Sequence, residues 1–363
     1  MIKNNKSKFN FEKSILKWFE KNQQNYPWRS LWLTHKDPYH VWVSEIMLQQ
    51  TTIKAVLPKY EKFIKRFPKL KNLAASSEDE LKKYVSGLGY YRRFDNLLKT
   101  AKMIYSEYHQ NWPKSYTSLM KLPGIGDYTA SAVSSIAFQE AKAAIDGNVE
   151  RVLARFLGLN LNLGSKELKK EVKTASQSFI SEVNPGAYNQ GLMELGQIIC
   201  RPQNPLCKMC PLKKHCYAKL SSQQENFPLP KQNVRKSEDL DINLFIIKFN
   251  NKILLQKRPQ KSKILANKMG FLTTYKEEGK RSCEELESKL IKFNKPKKIG
   301  NFNHSITHYK IRANVFLTSL SPHATINNSV LLKTKDVPNS LIASLDHKAW
   351  NILKEKSEQK TYK

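Results

Sequence analysis

The sequence predicts a mainly helical N-terminal domain followed by a smaller α/β domain, and three observations lead there. Up to about residue 220, apolar residues recur at helical spacing. Four cysteines then crowd into one 17-residue run. After a polar, proline-bearing stretch, apolar residues return in short runs of strand length. A chain of 363 residues, 40% hydrophobic, suits two domains with a sizeable core.

The helical part reads clearly. Helices are expected at "SILKWFEK", "LPKYEKFIKRF", "FDNLLKTAKMIYSEY" and "NVERVLARFLG". In the last, Val149, Val152, Leu153, Phe156 and Leu157 fall at i, i+3, i+4, i+7 and i+8, which is one helix face. This domain is assigned to residues 1–220, and 221–240, containing "SSQQENFPLPKQNVRKSED", reads as a linker. Beyond it, "INLFIIKFNNKILLQKRP" predicts two strands around an Asn-Asn turn, "CEELESKLIKF" a helix and "HYKIRANVFLTSL" another strand. That domain is taken as 241–355, with 356–363 a disordered tail.

Composition narrows the function. The formal net charge is +31, and an excess that large points to a polyanionic partner, nucleic acid ahead of a membrane surface. Part of it is compositional: Lys far outnumbers Arg and Asn is frequent, as an AT-rich genome produces. No apolar run approaches the ~20 residues of a spanning helix. The N-terminus lacks the apolar core of a secretory signal and the Arg-rich character of a transit peptide, so the bacterial cytoplasm is expected, with no membrane contact.

Cys200, Cys207, Cys210 and Cys216 are spaced C-x6-C-x2-C-x5-C. Four thiols so close together in an intracellular chain mean a metal site rather than disulfides. Spacing alone leaves zinc and a [4Fe–4S] cluster both open. Cys283 stands apart and reads as an ordinary thiol.

The run "SYTSLMKLPGIGDYTASAVSSIAF" reads as helix, tight turn, helix, at about residues 115–138. Gly124 and Gly126 let the backbone turn sharply with its N–H groups uncovered. Those groups, with the positive end of the second helix, suit a DNA phosphate. By itself the pattern would also serve as a plain helix connector.

These motifs, taken together, resemble the endonuclease III superfamily of DNA glycosylases, with its helix-hairpin-helix. Within it, "PWR", "DPYHVWVSEIMLQQTT", "GLGYYRR" and "IDGNVER" resemble the adenine DNA glycosylases of the MutY type. The likeness covers about residues 10–220 closely and the rest loosely. It implies a [4Fe–4S] cluster on the four cysteines. It also implies a base-excision-repair enzyme acting, as a monomer, on adenine opposite 8-oxoguanine or guanine in duplex DNA. The adenine must leave the stack to be reached.

The resemblance also implies roles. A helical Glu45 alone reads as a solvated charge, but in an apolar pocket it would stay protonated and act as the general acid at adenine N7. Asp146 reads as a turn residue or helix N-cap, a position that favours the anion, and the resemblance makes it the carboxylate that stabilises the sugar cation. Asn148 and Tyr128 match positions lining the same pocket. Superfamily members that also nick the strand carry a Lys where Tyr128 stands, so this chain is expected to be monofunctional.

Gln50 and Tyr90 match residues that push into the duplex beside the extruded base. Lys208, Lys213 and Lys214, in or beside the cysteine loop, are expected at phosphates. The C-terminal part resembles the family's Nudix-like domain, which inspects the opposite base. A metal box laid from Gly270 would put Lys276, Ser288 and Lys289 where glutamates are needed, so pyrophosphate hydrolysis is not expected. "HSITHYK" matches the lesion-reading loop, Ile306-Thr307-His308 replacing the usual Phe-Ser-His, with Thr307 and His308 as the reading residues. Two rivals are weighed. An endonuclease III-like enzyme for oxidised pyrimidines is opposed by Tyr128 and the extra domain. A non-catalytic iron–sulfur DNA-binding protein would need neither Glu45 nor Asp146.

Overall fold

Side-chain caps and proline starts set most helix beginnings in the first half of the chain. Asn10 accepts from Lys13 N, Asp37 from Tyr39 N, Thr52 from Ala55 N and Asn184 from Ala187 N, while Pro27, Pro38 and Pro185 open their helices. The computed structural model describes residues 10–231, 237–275, 295–319 and 328–361. The chain divides into two compact units, Met1–Leu81 with Tyr90–Val234, and Lys82–Gly89 with Arg235–Lys363.

The first unit is helical. Its elements are α1 (Phe11–Asn22), α2 (Pro27–His35), α3 (Pro38–Leu48), α4 (Ile53–Arg66), α5 (Leu70–Ala74), α6 (Glu78–Val85, which runs past the unit's edge), α7 (Arg92–Ser106), α8 (Tyr116–Leu119), α9 (Asp127–Phe138), α10 (Gly147–Leu157), α11 (Lys166–Phe179), α12 (Pro185–Ile198) and α13 (Tyr217–Leu220). The four sequence-predicted helices correspond to α1, α4, α7 and α10. The apolar face read on α10 is used: Val149, Val152 and Leu153 are buried with Phe11, Ile15, Leu168, Val172, Leu192 and Leu195, and Phe156 packs at the edge.

The α8–α9 hairpin begins at a capping box on Ser115. Its turn depends on Gly124, at φ +75°, where a Cβ would lie 2.5 Å from the Asn96 Cβ of α7. Thr100 of α7 donates to the Pro123 carbonyl at 2.8 Å, so α7 fixes the turn from below.

The stretch expected as a linker from residue 221 is shorter. Phe227 is buried, Arg155 donates to its carbonyl, and Leu229 exchanges main-chain hydrogen bonds with Leu161 and Leu163. Two apolar side chains and a bonded backbone hold this segment to the helical unit as far as Leu229.

Among the described residues, the second unit is built on a seven-stranded mixed sheet: β1 (Glu238–Phe249), β2 (Lys252–Lys257), β3 (Met269–Gly270), β4 (Leu272–Tyr275), β5 (Lys297–Ile306), β6 (Tyr309–Ser319) and β7 (Ser329–Lys333). The main path runs β3-β2-β1-β6-β5, with β4 on β1 and β7 on β2. β1 and β2 form the expected hairpin around Asn250 and Asn251, with Asn250 at φ +51°. β1 pairs in parallel with β6 from Glu238–Tyr309 to Lys248–Ser319. The helix expected at "CEELESKLIKF", Cys283 and the metal-box positions Lys276, Ser288 and Lys289 lie outside the described residues.

The expected tail is instead the end of a helix, Ser344–Thr361. Leu345, Ala349, Trp350 and Leu353 seat it on the sheet's core, and the following Lys, Glu and Gln are good helix formers that continue the turn. Asp346, on the same helix and fully buried, accepts from Arg258 at 2.7 and 3.2 Å and from Phe271 N at 3.0 Å. Arg258 is itself 3% exposed, so neither charge has water to fall back on. Asp346→Ala strands that guanidinium. The sheet unit should lose about 3–5 kcal/mol, read as an earlier urea midpoint in the fluorescence of the buried Trp350. A loss below about 1 kcal/mol would show that the pair is not holding the helix to the sheet.

Candidate active site

A cavity of about 830 Å3 opens in the helical unit, lined by Glu45, Gln50, Tyr90, Gly124, Gly126, Tyr128, Asp146 and Asn148 among others. Eight positions singled out in the sequence, spread over a hundred residues, thus meet around one space.

Glu45 lies on α3, whose residues from Tyr39 to Met47 are all buried, so the helix has no wet face near it. The carboxyl is 8% exposed. Burial raises its pKa to about 7, with the Asp146 charge adding to the rise. The Tyr128 hydroxyl, at the start of α9, donates to Glu45 Oε2 at 2.8 Å and opposes it. Burial and both carboxyls push the Tyr128 phenol well above its usual range, so it stays a neutral donor.

Asp146 is the N-cap of α10. Its Oδ1 accepts from Asn148 N at 2.9 Å and Val149 N at 2.8 Å, and its Oδ2 from Asn148 Nδ2 at 2.8 Å. The cap reading is right in geometry. The cap's three bonds and the Arg151 charge favour the anion as expected, but burial outweighs them and raises the pKa above the usual carboxyl value. The bonds continue inward. Arg151 donates to Asn148 Oδ1 at 2.8 Å, to the Gly196 carbonyl at 2.7 Å and to the Cys200 carbonyl at 2.8 Å.

The cavity also carries polar groups to which sequence reasoning gave no role. Arg29, the last residue of "PWR", pairs with Glu194 of α12 and donates to Gln190 Oε1 at 3.0 Å. Glu194 also accepts from Gln24 N at 3.0 Å. Arg29 and Glu194 are 165 residues apart, and no local pattern announces such a pair.

Cys200, Cys207, Cys210 and Cys216 line one cleft with Ile199, Arg155, Lys213 and Lys219. Among the described residues, no three Cys, His, Asp or Glu side chains are disposed to hold a single metal ion. Burial raises the thiol pKa of Cys207, Cys210 (to about 12) and Cys216, and the thiols' mutual repulsion adds to it. Four cysteines around one cleft, with three cationic side chains to offset thiolate charge, are a donor set that fits a thiolate-bound metal centre. Lys208 and Lys214 are exposed, while Lys213 turns back to the Lys208 carbonyl at 2.8 Å.

Thr307 and His308 form the two-residue tip of the β5–β6 hairpin in the second unit. Thr307, at φ +54°, is exposed and donates to the Ile306 carbonyl at 2.7 Å. His308 lies 4.1 Å from the Tyr309 ring, and its carbonyl accepts from Glu238 N at 3.0 Å. Ile306 packs against the sheet's core.

The profile of the HhH-GPD superfamily of base excision DNA repair proteins matches residues 43–180. The adenine DNA glycosylase of Buchnera aphidicola subsp. Acyrthosiphon pisum (strain APS) is 34% identical over 316 residues, covering 86% of this chain and 88% of that one. This chain belongs to the adenine DNA glycosylases. The human adenine DNA glycosylase is 37% identical to it over 220 residues, 59% of this chain and 40% of the human one. A solved thermostable thymine-DNA glycosylase superposes on 58% of this glycosylase and 95% of itself, with a TM-score of 0.51 and 26% identity. The glycosylase is thus a base-excision-repair enzyme whose helical unit carries the HhH-GPD fold.

The buried Glu45 carboxyl of the glycosylase should titrate near pH 7, visible as loss of the protonated carboxyl band in infrared difference spectra with Glu45→Gln as the blank. The Tyr128 bond favours the ionised form, so Tyr128→Phe should move that titration to higher pH. An unmoved or downward-shifted midpoint would show that the phenol does not donate to this carboxyl.

Proposed function

We propose that the glycosylase removes adenine paired with 8-oxoguanine or guanine in duplex DNA, leaves an abasic site and does not cut the strand. One observation carries the reading: a buried and a part-buried carboxyl face one cavity in different environments. Desolvation raises the Glu45 pKa to about 7 with one neutral hydrogen bond against it, whereas at Asp146 the rise from desolvation is opposed by three hydrogen bonds and the Arg151 charge, all favouring its anion.

The protonated Glu45 gives its proton to N7 of the extruded adenine, which makes the base a better leaving group. The C1′–N9 bond breaks and its electron pair leaves with the base. Positive charge develops on the sugar, and the Asp146 anion stabilises it or bonds to C1′ transiently. Water then supplies the hydroxyl of the abasic site. Asn148 holds Asp146 Oδ2 in place. Glu194 accepts and Arg29 donates on the same wall, a pattern complementary to the N6 amine and N1 of adenine. Tyr128 is a neutral phenol where strand nicking needs an amine, and this supports the monofunctional reading over an enzyme for oxidised pyrimidines.

The hairpin glycines, Lys208, Lys213 and Lys214 are the phosphate contacts in this reading, and Gln50 and Tyr90 enter the stack. The second unit is a Nudix-like reader of the opposite base, with Thr307 and His308 at its tip. The chain works as a monomer on the bacterial nucleoid in the cytoplasm. Among the described residues, no helix is long and apolar enough to cross a membrane. Cys200, Cys207, Cys210 and Cys216 would hold a [4Fe–4S] cluster, which when bound supplies a rigid cross-link within the loop and a redox centre.

Duplexes carrying adenine opposite 8-oxoguanine should be cleaved only after alkali. Asp146→Asn and Glu45→Gln should bind that duplex yet lose nearly all excision. Either variant remaining within about tenfold of the native single-turnover rate, only ~1.4 kcal/mol, would overturn its assigned role. With duplex bound, the native rate should fall as pH rises through the Glu45 range and also at low pH as Asp146 takes up a proton. Tyr128→Lys should form an imine with the sugar that borohydride traps.

The protein purified without air should be brown and carry about four irons per chain, and Cys210→Ser should lower both colour and iron. Stoichiometric zinc without iron would overturn the cluster.

A further inference from the structure

Gln50 and Tyr90 share a feature that their neighbours in the cavity wall lack. Both are non-glycine residues in left-handed backbone, at φ +54° and φ +46°. Both are exposed, Tyr90 by 55%, at the mouth of the same cavity. A side chain in that conformation persists only where its surroundings hold it.

One residue holds both. Arg93 lies in the first turn of α7. Its main-chain N–H donates to the Tyr90 carbonyl at 3.2 Å. Its guanidinium donates to the Gln49 carbonyl, which is the peptide joining Gln49 to Gln50. The side chain is 4% exposed, with its guanidinium carbon 4.6 Å from the centre of the Phe94 ring. A guanidinium at this depth, resting on an aromatic face, has few other places to go.

We propose that Arg93 is a positioning residue that makes Gln50 and Tyr90 a single wedge. It fixes the two left-handed peptides relative to each other, so the side chains reach the duplex at a set separation. The inference rests on the reading that Gln50 and Tyr90 enter the stack. Arg93 then acts on extrusion of the base rather than on cleavage of its bond, because its contacts are to the loops' carbonyls and not to Glu45 or Asp146. A wedge held this way needs no rearrangement when it meets DNA, and pre-organisation of that kind lowers the cost of binding.

The experiment uses the full chain and two duplexes opposite 8-oxoguanine or an abasic gap. In the first, 2-aminopurine replaces the target adenine, and its fluorescence rise reports unstacking. In the second, adenine faces the gap and is already unpaired. Arg93→Met should reduce the unstacking amplitude about tenfold while excision of the unpaired adenine stays within about threefold of native. Arg93→Lys, which keeps a donor, should recover part of the amplitude. In a Gln50→Ala/Tyr90→Ala background, Arg93→Met should cost nothing further, since it acts through those two residues.

Equal loss on both duplexes, or an undiminished additional loss in the double-alanine background, would overturn the positioning role. So would a full native amplitude in Arg93→Met. If Gln50→Ala and Tyr90→Ala themselves leave the amplitude unchanged, the wedge reading fails rather than the role of Arg93. Should Arg93→Met not fold, Arg93→Lys decides: unstacking reduced with unpaired-adenine excision retained supports the proposal, and both reduced alike overturns it.

Discussion

A carboxyl without water is the constraint around which the helical unit is arranged. Glu45 sits on a helix buried on every side, and a side chain there cannot ionise cheaply. Everything near it is chosen accordingly. The neighbouring Tyr128 offers one neutral hydrogen bond rather than a positive charge, and Arg29, whose charge favours the ionised form, is engaged by Glu194. A free cation at this place would pull Glu45 back to the ordinary carboxylate range and remove its proton at neutral pH. Asp146, part-buried on the same cavity, has a different environment: it is anchored to the first turn of α10, where two main-chain N–H groups and an amide share its charge.

Much of this was legible from the sequence where the signal is local. The apolar face of α10, the Asp-Gly cap before it, the Pro and Gly of the hairpin and the four cysteines each depend on residues within a turn or two of one another. The Asn-Asn turn between β1 and β2 is of the same kind. What was not legible depends on distance in the chain. Arg29 and Glu194 meet only because α2 and α12 fold onto a common wall. The net rise of the Asp146 pKa needed the burial of the cap as well as its identity. The segment after residue 220 looked like a linker because it is polar and carries prolines, yet Phe227 and Leu229 were enough to dock it. The Lys- and Glu-rich end looked frayed because its sequence is polar, whereas the helix it extends is seated upstream by Trp350 and Leu353.

The cavity wall is therefore made of two kinds of residue. Some are set by their own helix, as Asp146 is by its cap. Others are set by a partner from a different element, as the Gln49 carbonyl is by Arg93 and Arg29 by Glu194. The second kind ties stability to geometry, since the residues that shape the wall are also bonds between helices. Asn148 belongs to both: it is held by its own turn, accepts from Arg151, and through that side chain connects the cap to the main chain of the cysteine loop.

The β5–β6 tip is tied to the start of the sheet. Glu238 is the first strand residue after the connector, and its N–H is bonded to the His308 carbonyl of the tip. From that bond onward β1 and β6 run side by side in register for the length of the strand. The point where the chain enters and the point that faces outward are thus one mechanical object. A displacement of the tip is therefore felt at the first residue of β1 as well as along the two strands beneath it.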